Sequence, residues 1–377
     1  MKFTVATEYL AKAIKNVQPA VAKKPISPVL GGIRVEASES RLHLQATDLD
    51  LTINAQVDAR VEEIGVAVIS AKQLATAAKA IKNPDLTIAS GDQDRVHITD
   101  GRVNLTLATL PSEDWPNRRE PGDLTSVATV AGDELVRAIS RVVRCASGDQ
   151  GRPVLTGVQV NLDASSRTGE LVATDSYRLG VALVRLQSVN PDYTERPILA
   201  AAALKAMAGK ISGASEVWVY AGCPEGQPSP VVEFRFAATT WTLRPIEGQF
   251  PNWQRIVPDR TEGGSFEFDA KELGTAVSDA AGIRTDRSTP VRLNLGPSCS
   301  VRMIDGNVGE LSQPLSRAVY SPNGTGPMEI AFNPAFLKDA ISFLDAERAI
   351  LRVTDPCKPA LFVGVDERCV LMPVRTN

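Results

Sequence analysis

Histidine is almost missing from this chain: two in 377 residues, His43 and His97. Both fall in alternating strand-like stretches, which leaves little for imidazole acid–base chemistry or a histidine-rich metal site. The five cysteines (Cys145, Cys223, Cys299, Cys357, Cys369) are odd in number, far apart and without a CxxC pair. They indicate neither a disulfide framework nor a thiolate metal site, and they read as small buried hydrophobes. No P-loop, GxSxG, HExxH or dinucleotide fingerprint occurs, so the common phosphate-binding and nucleophilic chemistries lack their usual carriers. No run approaches the roughly 18 apolar residues that span a bilayer. The opening MKFTVATEYLAKAIK is interrupted by Lys12 and Lys15, unlike the unbroken apolar stretch of a signal peptide, so no membrane association and a cytoplasmic location are expected. Basic excess is missing too. Lys and Arg number 41 against 44 Asp and Glu, a net charge of -3, where a simple nucleic-acid binder is strongly basic.

What is present is repetition. With 43% apolar and 23% charged residues the chain has a globular composition and the length for two or three domains. SPVLGGIRV at Ser27–Val35 returns as RPVLTGVQV at Arg152–Val160, and STPVRLNL follows at Ser288–Leu295. Ala-Thr-Asp occurs at 46–48 and 173–175, and LPSEDWPN (Leu110–Asn117) is echoed by IEGQFPNW (Ile246–Trp253). Offsets of about 125 to 137 residues are far longer than solenoid periods of about 20 to 50 and mark duplication of whole domains. The predicted divisions are 1–122, 123–252 and 253–377.

Each third predicts two helices and about eight strands, an α+β plan. Apolar residues recur at helical spacing in Leu10, Ile14, Val17 and Val21, in Leu135, Ile139 and Val142, and in Leu273, Val277 and Ala280. Ser70 with Gln73 predicts a capping box, and Asn333-Pro334 a cap followed by proline at the first helical position. The predicted helical spans are Thr7–Lys24, Ser70–Pro84, Ala131–Gln150, Ala201–Gly213, Asp269–Arg287 and Asn333–Arg348. Together they hold 17 basic and 11 acidic residues, a net of +6, which leaves -9 for the remainder. Lys12, Lys15 and Lys23 point away from the first apolar stripe, Arg137, Arg141 and Arg144 away from the second, and Lys72 and Lys79 away from Leu74 and Ile81. Equivalent helices of similar domains sharing one surface would offer that basic face to a polyanion.

The triple plan, the PVL phrases, ATDSYRLG (Ala173–Gly180), FPNWQRIVP (Phe250–Pro258), IAFNPAFL (Ile330–Leu337) and the ending VLMPVR (Val370–Arg375) resemble the bacterial sliding-clamp family, the beta subunits of DNA polymerase III, over the whole chain. The resemblance implies three clamp domains per chain and a head-to-tail homodimer closing into a six-domain ring around double-stranded DNA, without sequence preference. It implies no catalysis, no cofactor and no metal. Modest internal basicity suits a ring held by topology, because each added phosphate contact would brake it. The expected DNA-facing groups are Lys12, Lys15, Lys23, Lys24, Lys72, Lys79, Arg137, Arg141, Arg144, Gln150, Arg152, Lys205, Arg284 and Arg287.

The family also has a groove between its second and third domains that receives linear peptides from polymerase, clamp loader and repair proteins. Carried over residue by residue, the resemblance places it on Leu155, Thr174, Ser176, Tyr177, Arg178, Leu179, Pro251, Arg255, Ile256, Val370, Leu371, Met372, Pro373, Val374 and Arg375. Leu, Ile, Val, Met and Pro suit leucine or phenylalanine anchors, and Arg178, Arg255 and Arg375 are expected at the rim. Ser176 and Tyr177 stand where some members have Gly and His. A second, divergent clamp whose pocket resists a peptide-like inhibitor is the alternative within the family. Outside it stand a hydrolase using Asp48 or Asp175, against which the repetition of Thr-Asp argues for a turn device, and a scaffold that binds only proteins.

Overall fold

The computed structural model describes residues 1–92, 94–116, 124–211, 216–224, 229–259, 261–286, 289–344 and 346–375. Its helices are α1 (Thr7–Val17), α2 (Ala71–Ala80), α3 (Gly132–Val142), α4 (Ala201–Ala208), α5 (Ala270–Gly282) and α6 (Pro334–Phe343). Two fall in each third, accompanied by nine, eight and nine strands among the described residues. All six are shorter than periodicity predicts. Helix α1 ends at Val17 because Pro19 supplies no N–H and crowds the preceding turn; Gln18–Ala20 is a 3₁₀ turn instead. Val21 therefore lies beyond the stripe, while Leu10, Ile14 and Val17 are buried as the spacing requires.

The caps divide. Asn333 accepts hydrogen bonds from the Ala335 and Phe336 amides, with Pro334 opening α6 as predicted. Ser70 makes no side-chain cap, so the predicted Ser70–Gln73 box does not form. Asp269 does cap α5, its Oδ1 accepting from the Glu272 amide at 2.8 Å. Cys145, Cys299 and Cys369 are buried, but Cys223 and Cys357 are exposed, which corrects the expectation that all five pack inside.

The chain forms two compact units. The first comprises Met1–Asp133, Leu186–Tyr193 and Ala206–Pro245, the second Glu134–Arg185, Thr194–Lys205 and Ile246–Asn377. The division runs through the middle third because its strands pair outward in both directions. In the first unit, antiparallel ladders run from Gly65–Ser70 through Gly32–Ser38 and Arg41–Thr47 to Leu51–Asp58, which pairs with Thr239–Leu243. Val231–Phe236, Glu216–Gly222 and Thr125–Ala131 continue the series. In the second unit the series is Ile198–Ala200, Gly157–Asp163, Thr168–Thr174, the Arg178–Arg185 part of strand Arg178–Val189, Glu367–Leu371, Ala360–Val363, Arg348–Val353 and Gly264–Asp269. A separate four-stranded sheet orders Gly309–Pro314, Ser300–Asp305, Val291–Leu295 and Met328–Phe332.

Alternation along strands such as Leu51–Asp58 puts one face inside. Helix α1 packs with α2 on this side in the first unit, and α5 with α6 in the second. Each fully buried Leu, Ile or Phe on these faces contributes about 1.5–3 kcal/mol. Among the described residues no helix is long and apolar enough to cross a membrane.

Candidate functional site

The repeated Ala-Thr-Asp builds the same turn twice. In the first third, Asp48 Oδ1 accepts from the Asp50 and Leu51 amides at 3.1 and 2.8 Å, and Thr47 Oγ1 from the Leu49 amide at 3.1 Å. In the middle third, Asp175 Oδ1 accepts from the Tyr177 and Arg178 amides at 2.9 Å each, and Thr174 Oγ1 from Ser176 at 3.2 Å. Such side-chain acceptance holds the chain in a local turn. It places Leu49 at φ +82° and Ser176 at φ +79°, left-handed conformations that cost a side-chain-bearing residue about 1–3 kcal/mol. Partial burial raises the Asp48 carboxyl above its ordinary range, opposed by those amides. Both aspartates are committed to turn geometry, in keeping with the turn reading of the repeat.

From the middle turn, Arg178 runs inward rather than outward. Its Nε donates to Asp175 Oδ2 at 3.0 Å and its Nη1 to Asp339 Oδ2 at 2.5 Å, leaving the side chain 11% exposed. Its guanidinium lies 4.4 Å from the centre of the Phe336 ring, and Tyr177 stacks on the same ring at 6.2 Å. Arg178 therefore braces the turn on α6, a correction to its expected place as a rim donor. Arg152, expected to face DNA beside Gln150, donates from Nη1 to Ser176 Oγ at 3.1 Å and from Nε to Asp149 at 3.3 Å. It thus belongs with the turn, while Gln150 is exposed.

The C-terminal strand completes this face. Arg178 pairs with Leu371 and Leu179 with Val370; beyond the strand, the Met372 amide donates to Tyr177 O at 2.9 Å and the Val374 amide to Ala331 O at 2.8 Å. Pro373 between them has no N–H to give. Leu179 and Val370 join Val172, Val181, Ile198, Phe250, Trp253 and Leu361 in one apolar cluster, flanked by Val154 and Val257. Leu155, Thr174 and Leu371 are buried as well. Ser176, Tyr177, Pro251, Arg255, Ile256, Met372, Val374 and Arg375 are exposed, and Pro373 is half-buried. The fifteen residues named from sequence thus lie in one unit, sorted into a buried floor and an exposed apolar and basic edge. Missed were Val172, Trp253, Phe336 and Asp339. Alternation in ELVATD pointed to Val172, and the aromatic of FPNW to Trp253, but nothing local signalled the two α6 residues.

The basic set is less uniform. Lys12, Lys15, Lys23, Lys24, Lys72, Lys79, Arg144 and Lys205 are exposed. Arg137 pairs with Glu134 at 2.9 Å. Arg141 forms an ion pair with the buried Glu367 and is itself 15% exposed, so it is not a free DNA-facing cation. Arg284 is half-buried, and Arg287 lies outside the described residues. Within their observed bounds the helices carry nine basic and six acidic residues. The net is +3 rather than +6, with +3 on α1 and α2, +1 on α3 and α4, and -1 on α5 and α6. Sequence reasoning missed Lys210, whose Nζ donates to the Lys15 carbonyl at 2.8 Å and so satisfies an end of α1. Burial, then the neighbouring Lys15 charge, holds that ammonium below its ordinary range.

His97 Nδ1 shares a hydrogen bond with Thr106 Oγ1 at 2.9 Å on an exposed strand face. Among the described residues no cluster of three His, Cys, Asp or Glu has the arrangement of a metal site.

Known proteins resemble this arrangement end to end. The DNA polymerase III beta subunit family matches in three parts: its N-terminal domain over residues 1–119, central domain over 129–252 and C-terminal domain over 254–375. A beta sliding clamp of Streptomyces coelicolor is 30% identical over 387 aligned positions that cover all of both chains. A beta sliding clamp homolog, GriR, of Streptomyces muensis is 28% identical, covering 100% of this chain and 99% of that one. Among solved structures, the sliding clamp of Pseudomonas aeruginosa bound to griselimycin superimposes with a TM-score of 0.89 at 24% identity, with full coverage of both chains.

Proposed function

The chain belongs to the bacterial beta sliding clamp family, the DNA polymerase III beta subunits, and from that premise we propose that it is a non-catalytic processivity factor. Two copies, each of three domains divided near 122 and 252, close head to tail around duplex DNA. The ring tethers polymerase, clamp loader and repair proteins through linear peptides. The observation that supports this reading is a buried Leu155, Leu179, Val370 and Trp253 floor in the unit that also exposes Tyr177, Ile256, Met372 and Val374. Large apolar side chains left exposed beside a packed floor suit a surface that a partner covers.

For DNA, the exposed Lys12, Lys15, Lys72, Lys79 and Lys205 offer scattered phosphate contacts. That is enough to centre a duplex and too little to hold it in place. Purified protein loaded by a clamp loader should remain on nicked circular DNA through gel filtration and run off once the circle is cut. Equal retention on both forms would end the ring reading. A peptide from a replicative polymerase should bind wild type and lose affinity in Met372→Ala.

A second reading is favoured by one observation. Tyr177 lies stacked on Phe336, and the strained Ser176 is held by Arg152, so the turn presents bulk where some family members have Gly and His. On this reading the chain is a divergent second clamp with an altered pocket. Side-by-side titration of griselimycin into this protein and the P. aeruginosa clamp tests it: weaker binding here is expected, and equal affinity rules it out.

A further inference from the structure

The floor of the docking face contains a donor without an acceptor. Trp253 is 3% exposed, and its Nε1 is fully buried with no hydrogen-bond partner among the described residues. It sits in the apolar cluster of Val172, Leu179, Phe250, Leu361 and Val370. Buried indole N–H groups are ordinarily paired, since leaving one unmatched forfeits the bond it made with water. A buried tryptophan of the first third shows the usual outcome. Trp115, whose Trp-Pro-Asn matches Phe250-Pro251-Asn252 in the middle third, packs with Val29, Leu30 and Val68, and its Nε1 donates to Gln45 Oε1 at 2.8 Å. Gln45 precedes Ala-Thr-Asp in the first third; the residue preceding it in the middle third is Val172. One copy of the plan carries its own acceptor, and the other has valine there.

We propose that the Trp253 indole N–H is a specificity-determining donor of the docking face, matched by a carbonyl oxygen of the bound peptide as its apolar anchor displaces the floor side chains. This rests on the docking reading above and adds to it a polar requirement hidden beneath an apolar surface. An occupant must bring an acceptor as well as leucine or phenylalanine bulk, because a purely hydrocarbon ligand would leave the donor unmatched. Two sources share the chemistry, a backbone carbonyl and a side-chain carboxamide.

The test uses the full chain and two fluorescein-labelled hexapeptides with Leu and Phe anchors, one with alanine at every other position and one with glutamine there. Trp253→Phe should weaken binding about tenfold while leaving the melting temperature equal or higher, since it removes an unmatched polar group. Trp241→Phe is the control. Trp241 Nε1 is also buried without a partner, but the residue sits in the first-unit ladder opposite Ile53, so peptide affinity should be unchanged. A loss with both peptides assigns the acceptor to the backbone, and a loss with the glutamine peptide alone assigns it to a carboxamide. The indole proton resonance absent from the Trp253→Phe spectrum should move downfield on peptide addition in wild type, which a purely structural tryptophan would not show. Unchanged affinity in Trp253→Phe, or an unmoved indole proton, overturns the assignment while leaving the docking face standing. Failure of wild type to bind either peptide overturns the docking reading instead.

Discussion

Two junctions in this chain are built on one backbone plan and end as different surfaces. Where the first third meets the middle third, Leu51 pairs with Leu243 and the Arg244 amide donates to Asp50 O at 2.8 Å. Where the middle third meets the last, Arg178 pairs with Leu371 and the Met372 amide donates to Tyr177 O at 2.9 Å. Even the local text agrees, Leu-Arg-Pro at 243–245 and Leu-Met-Pro at 371–373. The first junction carries exposed Asp48 and Asp50 and an indole paired inside the protein; the second carries Tyr177, Met372 and an unpaired one. A duplicated fold can thus present one seam edged by carboxylates and one edged by Tyr177 and Met372, because main-chain pairing fixes the scaffold and a handful of side chains set its chemistry.

The comparison breaks most visibly if the second junction is given the first one's arginine. Met372→Arg should reduce peptide affinity by tenfold or more, because a guanidinium at the apolar edge must be desolvated by an anchor that offers it nothing; fluorescence anisotropy reads this, and retained affinity would show that Met372 lies outside the contact. Next in size, Gln45→Val gives the first junction the second one's valine. It strips Trp115 of its acceptor and Gln45's Nε2 bond to Asn54 Oδ1 at 2.8 Å. A loss of about 1–3 kcal/mol is expected for such an unmatched buried donor. Native-state hydrogen exchange along Arg41–Thr47 is the suitable measure, since a chain of two units need not unfold in one step.

Smaller still is the strain held at the two turns. Leu49→Gly should stabilise its unit by roughly 1 kcal/mol through relief of the left-handed backbone, partly offset by the greater entropy of glycine in the unfolded chain. Ser176→Gly should gain less, because it also gives up the Arg152 bond.

The smallest effect is a pH slope of opposite sign in two related turns. Partial desolvation of its carboxyl, though the residue reaches solvent, raises Asp48 above its unfolded value, so its contribution to stability is full below the unfolded pKa and is lost as pH rises through the folded one. Asp305, in the corresponding turn of the last third, is held low first by the Thr285 amide and then by that of Asn307. Its contribution is present above the unfolded pKa and disappears as pH falls through the folded value. In melts taken between about pH 3 and 7, around the ordinary carboxylate range, Asp48→Asn should gain relative stability toward neutrality and Asp305→Asn should lose it. Parallel curves would mean that the two turns are electrostatically alike.

Much of this was legible in advance where neighbours in sequence are also neighbours in space. The stripe Leu10, Ile14, Val17, the Asn333 cap and the Thr-Asp turns needed only local periodicity and short-range hydrogen bonding. Helix ends were overestimated because apolar spacing continues past Pro19 while the hydrogen-bond ladder does not. Arg178 and Arg141 were misplaced for a different reason: their partners Asp339 and Glu367 lie 161 and 226 positions away. No local pattern distinguishes a cation bound for such a carboxylate from one bound for solvent.

The sequence by itself determined the threefold repeat, the α+β plan, the strand faces and the absence of familiar catalytic motifs, since all of these follow from composition and short-range spacing. Tertiary structure decided which charges remain exposed, which buried indole finds an acceptor, and how the middle third divides its strands between the two units. Those outcomes depend on partners brought together across more than a hundred residues, where burial and geometry, rather than residue type, set the energy of a polar group.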